Sequence, residues 1–393
     1  MSAVADRLLL TGGEATAHAM RQLDPDVVPV YPITPQTPII QGFAKFVADG
    51  KASTEIINVE SEHSAMSAAI GSALAGARTM TATSSQGMAL MAEMVYIAAG
   101  MRAPIVMAVG NRALSSPINI HGDHSDSMLV RDSGCIQLFA ESAQEVYDLM
   151  VLAPALAEHP NVLLPVLVCQ DGFNVTHSAE PVELLPDEVV RDFAGEYTVP
   201  YPLLDLERPT SQGPFAMPDS YFELRRAQAA AIDGSLAVFE ELAHGLEGIT
   251  GRELGALDRY RLHDAEVAIV ALGAIAGTIK DVVDELRDAG IRAGALRILS
   301  FRPFPSEEIR SALKRCTAVA VLDRADAPGG TPPLYADVAA ALYGSRVHLH
   351  SFIAALGGRD LTPAHVHGVF EGLSRGRLPR RSYVGLKEAA CPD

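Results

Sequence analysis

The chain has 393 residues, 48% hydrophobic and 20% charged, with no tryptophan and a formal net charge of −17. The acidic balance argues against nucleic-acid binding, which needs a basic footprint, and the length exceeds one ordinary domain. The four scattered cysteines, Cys135, Cys169, Cys316 and Cys391, form no CxxC pair, which argues against a zinc ribbon, a ferredoxin-type cluster run or a disulfide framework and points to a reduced, cytoplasmic setting.

The N-terminus, MSAVADRLLLTGGEATAHAM, lacks a secretory pattern. No apolar run approaches the roughly 20 residues of a membrane span. From Leu8 onward helical and extended segments alternate. GGEATAHAMRQL reads as a helix and VVPVYPIT as a short strand broken by prolines. TPIIQGFAKFVAD is an amphipathic helix, STEIINV is extended, and ESEHSAMSAAIGSALAGA is a helix of small residues. RTMTATSS is a strand, QGMALMAEMVYIAAGM a helix and PIVMAVG an apolar strand. SAQEVYDLMVLAPALAEH is a helix and LLPVLVCQD a buried strand. That rhythm predicts a doubly wound parallel sheet over residues 1–185. Residues 186–262 read as a proline-rich connector followed by a long helix. Over 263–393 the rhythm resumes as a smaller α/β domain, through EVAIVALG, AIAGTIKDVVDELRDAG, IRAGALRILS, SEEIRSALKR, AVAVLDRA, PPLYADVAAALYG and RVHLHSFIAAL.

Residues able to carry chemistry fall where strands end, which is where ligands bind in open α/β sheets. NVESEH places Glu60, Glu62 and His63 at the start of the small-residue helix. First-turn acids also complement a helix dipole, with Ser61 or Asn58 as the cap, so helix-start and ligand-facing readings both stand. YPITPQTP holds Thr34 and Thr37 on a proline-stiffened loop, either as precise hydroxyl groups or as an ordinary rigid turn. TATSSQGM ends a strand and opens a helix at Gln86–Gly87, an anion site or a plain cap. GNRALSSPINIHGDHSD holds Arg112, His121, Asp123, His124 and Asp126. The pattern H-x-D-H-x-D could supply metal ligands. A glycine splits it, no cysteine joins it, and turn hydrogen bonding explains it as well, so no metal is assigned. Arg112, just past an apolar strand, could grip a small carboxylate bidentately or form a surface ion pair. LGAIAGT could open a nucleotide site, but a tight strand-to-helix turn is preferred.

Together and in order, YPITPQTP, ESEHSAMSAAIGSALAGARTMTATSSQGMALM, NRALSSPINIHGDHSDSMLVRDSGCIQLFAES and VLVCQDGFNVTHSAEPV resemble the α subunit of pyruvate:ferredoxin oxidoreductases (pyruvate synthases), members of the 2-oxoacid:acceptor oxidoreductase family. VALGAIAGTIKDVVDELRDAG, FRPFPSEEI, AVLDRA, PLYADVAAALY and ALGGRD resemble that subunit's C-terminal domain. The resemblance implies a doubly wound thiamine-diphosphate pyrimidine-binding domain plus a smaller transketolase-C-terminal-like α/β domain. It implies thiamine diphosphate shared with a β subunit, with Mg2+ and iron–sulfur clusters on partner subunits. It further implies γ and δ (ferredoxin-like) subunits, pyruvate, CoA and ferredoxin as partners, with no nucleic acid and no membrane. By motif, Glu62 matches the family's pyrimidine-activating glutamate, Thr34 the threonine beside the substrate and Arg112 the arginine that pairs with the substrate carboxylate. Pro32, Ile33 and Gln86 match positions lining the cofactor. The activity implied is CoA-acylating oxidative decarboxylation of pyruvate, or its reverse. The alternatives are the same chemistry on phenylglyoxylate or a branched-chain 2-oxoacid, or a non-oxidative thiamine enzyme. His63 stands where the family's pattern has a small residue, so it could face the substrate or the solvent.

Overall fold

A computed structural model of the chain describes residues 6–375 and 381–387; Cys391 lies outside them. The chain opens with β1 (Asp6–Thr11) and α1 (Gly12–Leu23). Thr11 caps α1 in a capping box: its hydroxyl accepts from Glu14 N while the Glu14 carboxylate accepts from Thr11 N. There follow β2 (Val27–Val30), α2 (Thr37–Ala48), β3 (Glu55–Asn58), α3 (Glu62–Ala75), β4 (Thr79–Thr83), α4 (Ser85–Gly100) and β5 (Ile105–Asn111). A short α5 (Ser125–Leu129) precedes β6 (Ile136–Phe139), α6 (Ala143–Ala157), β7 (Val166–Asp171), β8 (Ala179–Leu184) and α7 (Asp187–Ala194). An exposed stretch then leads into the 30-residue α8 (Tyr221–Thr250).

The second half contains β9 (Leu257–Tyr260), β10 (Val267–Ala271), α9 (Ile275–Asp288), β11 (Ala293–Ile298), β12 (Ser300–Arg302) and α10 (Ser306–Leu313). After these come β13 (Ala318–Asp323), α11 (Pro333–Ala341), β14 (His348–Ile353), a 3-10 turn at Leu356–Gly358, α12 (Pro363–Arg375) and β15 (Arg381–Tyr383).

The first sheet runs β3-β2-β4-β5-β7-β6-β12, parallel except for β12. Strands β4 to β7 are buried along their whole length, as apolar strands covered by helices on both faces must be. The second sheet runs β15-β14-β13-β10-β11-β9, parallel except for β9. One strand ties the halves together: β12, far along the chain, adds to the first sheet beside β6. One apolar core runs through both units, from Met66, Met91 and Leu167 to Val270, Leu296, Val319 and Val338. Sequence periodicity missed β1 and β8, which pair antiparallel as a separate ribbon. LLL gives no alternation there, and Leu9 of β1 is exposed.

Charge also bridges the units. The Arg297 guanidinium on β11 forks onto the Glu145 carboxylate at 2.7 and 2.8 Å, and Lys280 on α9 reaches Glu141 and Asp258, each at 2.8 Å. Strand order in the second sheet reverses between β10 and β13, the position where α/β folds receive ligands. Here that crevice holds a carboxylate from the first unit. Asp171, at the end of β7, accepts from Ala274 N at 2.7 Å, pairs with Arg324 just past β13, and lies 2.7 Å from His124 Nε2. Gly273 leaves the room, since a Cβ there would sit 2.7 Å from the Asp171 carboxylate. Burial alone would raise the Asp171 carboxyl, but Arg324 and His124 hold it well below the usual carboxylate range. Asp171 and Arg324 are each 1% exposed. Arg324→Met therefore strands a buried charge, and a loss of about 3–5 kcal/mol in unfolding free energy is expected. An unchanged urea midpoint would contradict that expectation.

Asp323, the last residue of β13, caps α11 by accepting from Leu334 N at 2.7 Å and Tyr335 N at 3.0 Å. Burial pushes its carboxyl up to about 7 against the pull of those donors. An unfolded aspartate titrates at about 3.9, so between there and 7 the folded chain keeps a proton that the unfolded chain has lost. The stabilising contribution of this group is complete below that window and is lost as pH rises through 7. Urea unfolding at pH 5 and pH 8 should show Asp323→Asn gaining on the parent as pH rises, by about 1.4 kcal/mol per pH unit inside the window. Parallel pH profiles would exclude the effect.

Candidate active site

The strand order of the first sheet reverses between β2 and β4, and the sequence-identified residues gather at the carboxyl ends of β2, β3, β4 and β5. α3 starts at Glu62. Ser61 is its cap, its hydroxyl accepting from Ser64 N at 3.3 Å. The two acids of NVESEH part company there. Glu60 is exposed, and a hydrogen bond from the Ser64 hydroxyl holds its carboxyl below the usual range. Glu62 is buried. His63 turns toward Glu93 of α4, its Nε2 3.7 Å from that carboxylate, and its side chain is 42% exposed. It lies along the outer faces of α3 and α4.

Glu62 packs against the start of α4. A Cβ on Gly87 would stand 2.8 Å from Glu62 Oε1 and 2.4 Å from Thr83 Oγ1, so only glycine lets that carboxyl and hydroxyl approach the helix. Near Gly110, a built Cβ would lie 3.1 Å from Ser84 Oγ, 3.4 Å from Pro35 Cγ and 3.5 Å from Gln36 N, which brings the ends of β2, β4 and β5 together. Ser85 opens α4 at φ +48, a left-handed conformation that costs a β-carbon-bearing residue about 1–3 kcal/mol. Three contacts enforce it. Its N donates to Asp126 Oδ2 at 2.9 Å, and its hydroxyl lies 2.6 Å from both Ala113 O and Gln86 Oε1.

Arg112 is buried directly after β5. Its Nη1 donates to Thr34 O and its Nε to Asn119 O, both at 2.9 Å. Thr34 and Arg112 are thus in direct contact, through the threonine backbone. Its hydroxyl belongs to an exposed residue, as Pro32 is, while Ile33 and Gln86 are half-buried. Asp126 ties these parts together. Its carboxylate accepts from Arg112 N, Ser85 N, Asn111 Nδ2 and Ser127 N at 2.7–2.9 Å. Burial pushes the Asp126 carboxyl up to about 6 in spite of those donors.

The motif that suggested metal ligands is divided among separate jobs. Asp123 accepts from Ser125, His124 faces Asp171, Asp126 holds backbone amides, and the His121 ring packs on Phe173. Among the described residues no group of three His, Cys, Asp or Glu side chains could hold a metal ion. Gly87 was named from sequence with Gln86 at a helix start, whereas Gln36, Thr83 and Asn119 were not singled out. TATSSQG held Thr83 and YPITPQTP held Gln36, and nothing local pointed to Asn119.

The site also fits a polar heterocycle. Thr83 Oγ1, Ser84 Oγ, Gln36 Nε2 and Asn111 Oδ1 are buried without a hydrogen-bond partner among the described residues. Natural sites rarely leave such groups unpaired. Two hydroxyls, an amide donor, an amide acceptor and the Glu62 carboxyl offer both halves of the hydrogen bonding that an aminopyrimidine ring requires.

Comparison with known proteins agrees. Residues 18–243 match the family described as pyruvate flavodoxin/ferredoxin oxidoreductase, thiamine diphosphate-binding, and residues 265–366 match pyruvate:ferredoxin oxidoreductase core domain II. The chain is 54% identical to pyruvate synthase subunit PorA of Thermotoga maritima over 99% of its own length and 100% of that protein. It is 39% identical to the alpha subunit of NADH-dependent phenylglyoxylate dehydrogenase of Aromatoleum evansii, over 97% of its length and 95% of that protein. Among solved structures it resembles the 2-oxoglutarate:ferredoxin oxidoreductase of Magnetococcus marinus, with TM-score 0.74 and 19% identity, over 94% of this chain and 65% of that one. No helix among the described residues is long and apolar enough to cross a membrane.

Proposed function

The chain belongs to the pyruvate:ferredoxin oxidoreductase family, and from that premise we propose how its residues divide the work of a pyruvate synthase alpha subunit. The overall reaction takes pyruvate, CoA and two oxidised one-electron acceptors to acetyl-CoA, CO2, two reduced acceptors and a proton. Thiamine diphosphate supplies the carbon nucleophile and the electron sink. This chain holds the pyrimidine half of it. A β subunit carries the diphosphate and Mg2+, iron–sulfur clusters on partner subunits take the electrons to ferredoxin, and γ and δ (ferredoxin-like) subunits complete a cytoplasmic assembly.

The observation that carries this reading is the buried Glu62 carboxyl, set against Gly87 beside an unpaired Thr83 hydroxyl. Glu62 holds a proton at the pyrimidine ring nitrogen, as a positioned acid–base group. Pro32, Ile33 and Gln86 border the ring. Arg112 receives the carboxylate of the 2-oxoacid, with Thr34 next to it. Pyruvate is the favoured substrate because the pyruvate synthase relative is the more similar of the two, 54% against 39% identity.

The test is reconstitution. This chain alone should reduce no acceptor. With its partner subunits, thiamine diphosphate, Mg2+, pyruvate and CoA, it should reduce a low-potential viologen strictly in proportion to acetyl-CoA formed. Acceptor-independent product would point to a non-oxidative thiamine enzyme, and turnover of phenylglyoxylate in preference to pyruvate would reassign the substrate.

A further inference from the structure

The loop that carries Arg112 is braced from the second α/β unit. Asn119, whose backbone O receives Arg112 Nε, donates from its Nδ2 to Gly357 O at 3.0 Å. Its Oδ1 accepts from His121 N at 2.7 Å, so both ends of the amide are engaged. Two further bonds join the same loop to the same turn, and a third reaches the loop from Arg324, just past β13. Gly358 N donates to Gly122 O at 2.8 Å, Gly357 N to Asp123 Oδ2 at 3.3 Å, and Arg324 Nη2 to Gly122 O at 3.2 Å.

Both glycines of the turn are needed there on two counts. Their φ values are +56 and +77, where side chains are disfavoured. A Cβ would also meet Asn119 Nδ2 at 2.3 Å from Gly357, and His121 Cβ at 2.4 Å from Gly358. Apart from these contacts, residues 114–121 are largely exposed, so the bracing decides where Asn119 O sits, and Asn119 O is one of the two side-chain anchors of Arg112.

We propose that the Gly357–Gly358 turn and Asn119 are positioning residues for Arg112, through which the second α/β unit sets the reach of the carboxylate-binding guanidinium; this rests on the reading of Arg112 given above. Loosening the brace then weakens pyruvate binding without touching the cofactor. In the assembled enzyme, Asn119→Ala should raise KM for pyruvate about tenfold, the scale of one lost positioning hydrogen bond. KM for CoA, thiamine diphosphate affinity and the thermal midpoint should stay near the parent values. Gly357→Ala should act in the same direction, and Asn119→Ala carries the test if that variant does not fold.

The decisive measurement is the double variant Arg112→Ala/Asn119→Ala. If Asn119 works through the arginine, adding Asn119→Ala to Arg112→Ala produces no further rise in KM. An unchanged KM in Asn119→Ala, or the same tenfold rise in the Arg112→Ala background, overturns the proposal. If Arg112→Ala itself leaves KM and kcat/KM for pyruvate unchanged, the assignment of the arginine fails and the proposal falls with it, a pattern distinct from either of the others.

Discussion

Glu62→Gln in the assembled enzyme is expected to lower kcat by about 10²–10⁴-fold, the span that positioned acid–base groups contribute. Glutamine keeps the volume of the side chain, and it still fits against Gly87, where added bulk would collide with the carboxyl. Folding and assembly should therefore be preserved, and the loss should fall on turnover. An amide holds no exchangeable acidic proton at the position that Glu62 Oε1 occupies. Its NH2 can imitate the protonated acid as a donor but cannot accept the proton back. KM for pyruvate should move little, because the substrate carboxylate is assigned to Arg112. Viologen reduction under saturating pyruvate and CoA is the measurement, with cofactor binding followed separately by calorimetry. A kcat within threefold of the parent enzyme would remove Glu62 from the proton path.

Arg112→Ala should show the second-largest effect and a different signature. Nε and Nη1 are spent on Asn119 O and Thr34 O, and no bond from Nη2 is made within the described residues. That leaves Nη2 of a buried cation for the substrate carboxylate that the proposed function assigns to it. Removing one partner of a buried, hydrogen-bonded charge pair costs about 2–5 kcal/mol, or roughly 30- to several thousand-fold in kcat/KM. Most of it should appear as a higher KM for pyruvate. Arg112→Lys should recover only part, since an ammonium cannot satisfy both carbonyls and still present a fork. A kcat/KM for pyruvate unchanged in Arg112→Ala would refute the assignment.

Local chemistry in the sequence carried much of this arrangement. The helix over GGEATAHAMRQL is legible in the sequence, although the Thr11–Glu14 capping box at its start emerged only with the structure, and the strands TMTAT and IVMAVGN are legible as segments whose two faces are both covered. Glu62, Thr34 and Arg112 stand out because each follows a strand. What stayed hidden is non-local. Asn119 and Gly357 are 238 positions apart, and no periodicity links them. Asp126 carries the signature of a ligand or turn residue, yet it acts as a four-donor acceptor knitting α4 to β5. β12 has three residues, too few for a pattern, and completes the first sheet only because the chain returns to β6. LGAIAGT was ambiguous for a physical reason. Its glycine does make room for an anion, but the anion is a side chain of the same protein.

That substitution of an internal carboxylate for a free ligand bears on modularity. A β10–β13 crevice filled by Asp171 and closed by Arg324 is a socket whose plug lies more than a hundred residues upstream. The two halves cannot be exchanged like cassettes. A chimera that grafts another protein's second unit onto this first unit leaves Asp171 without its guanidinium, and the reverse graft leaves the socket without its plug. Sequences recombined in this lineage must therefore inherit the two sides together, so Asp171 and Arg324 should change in concert or remain fixed.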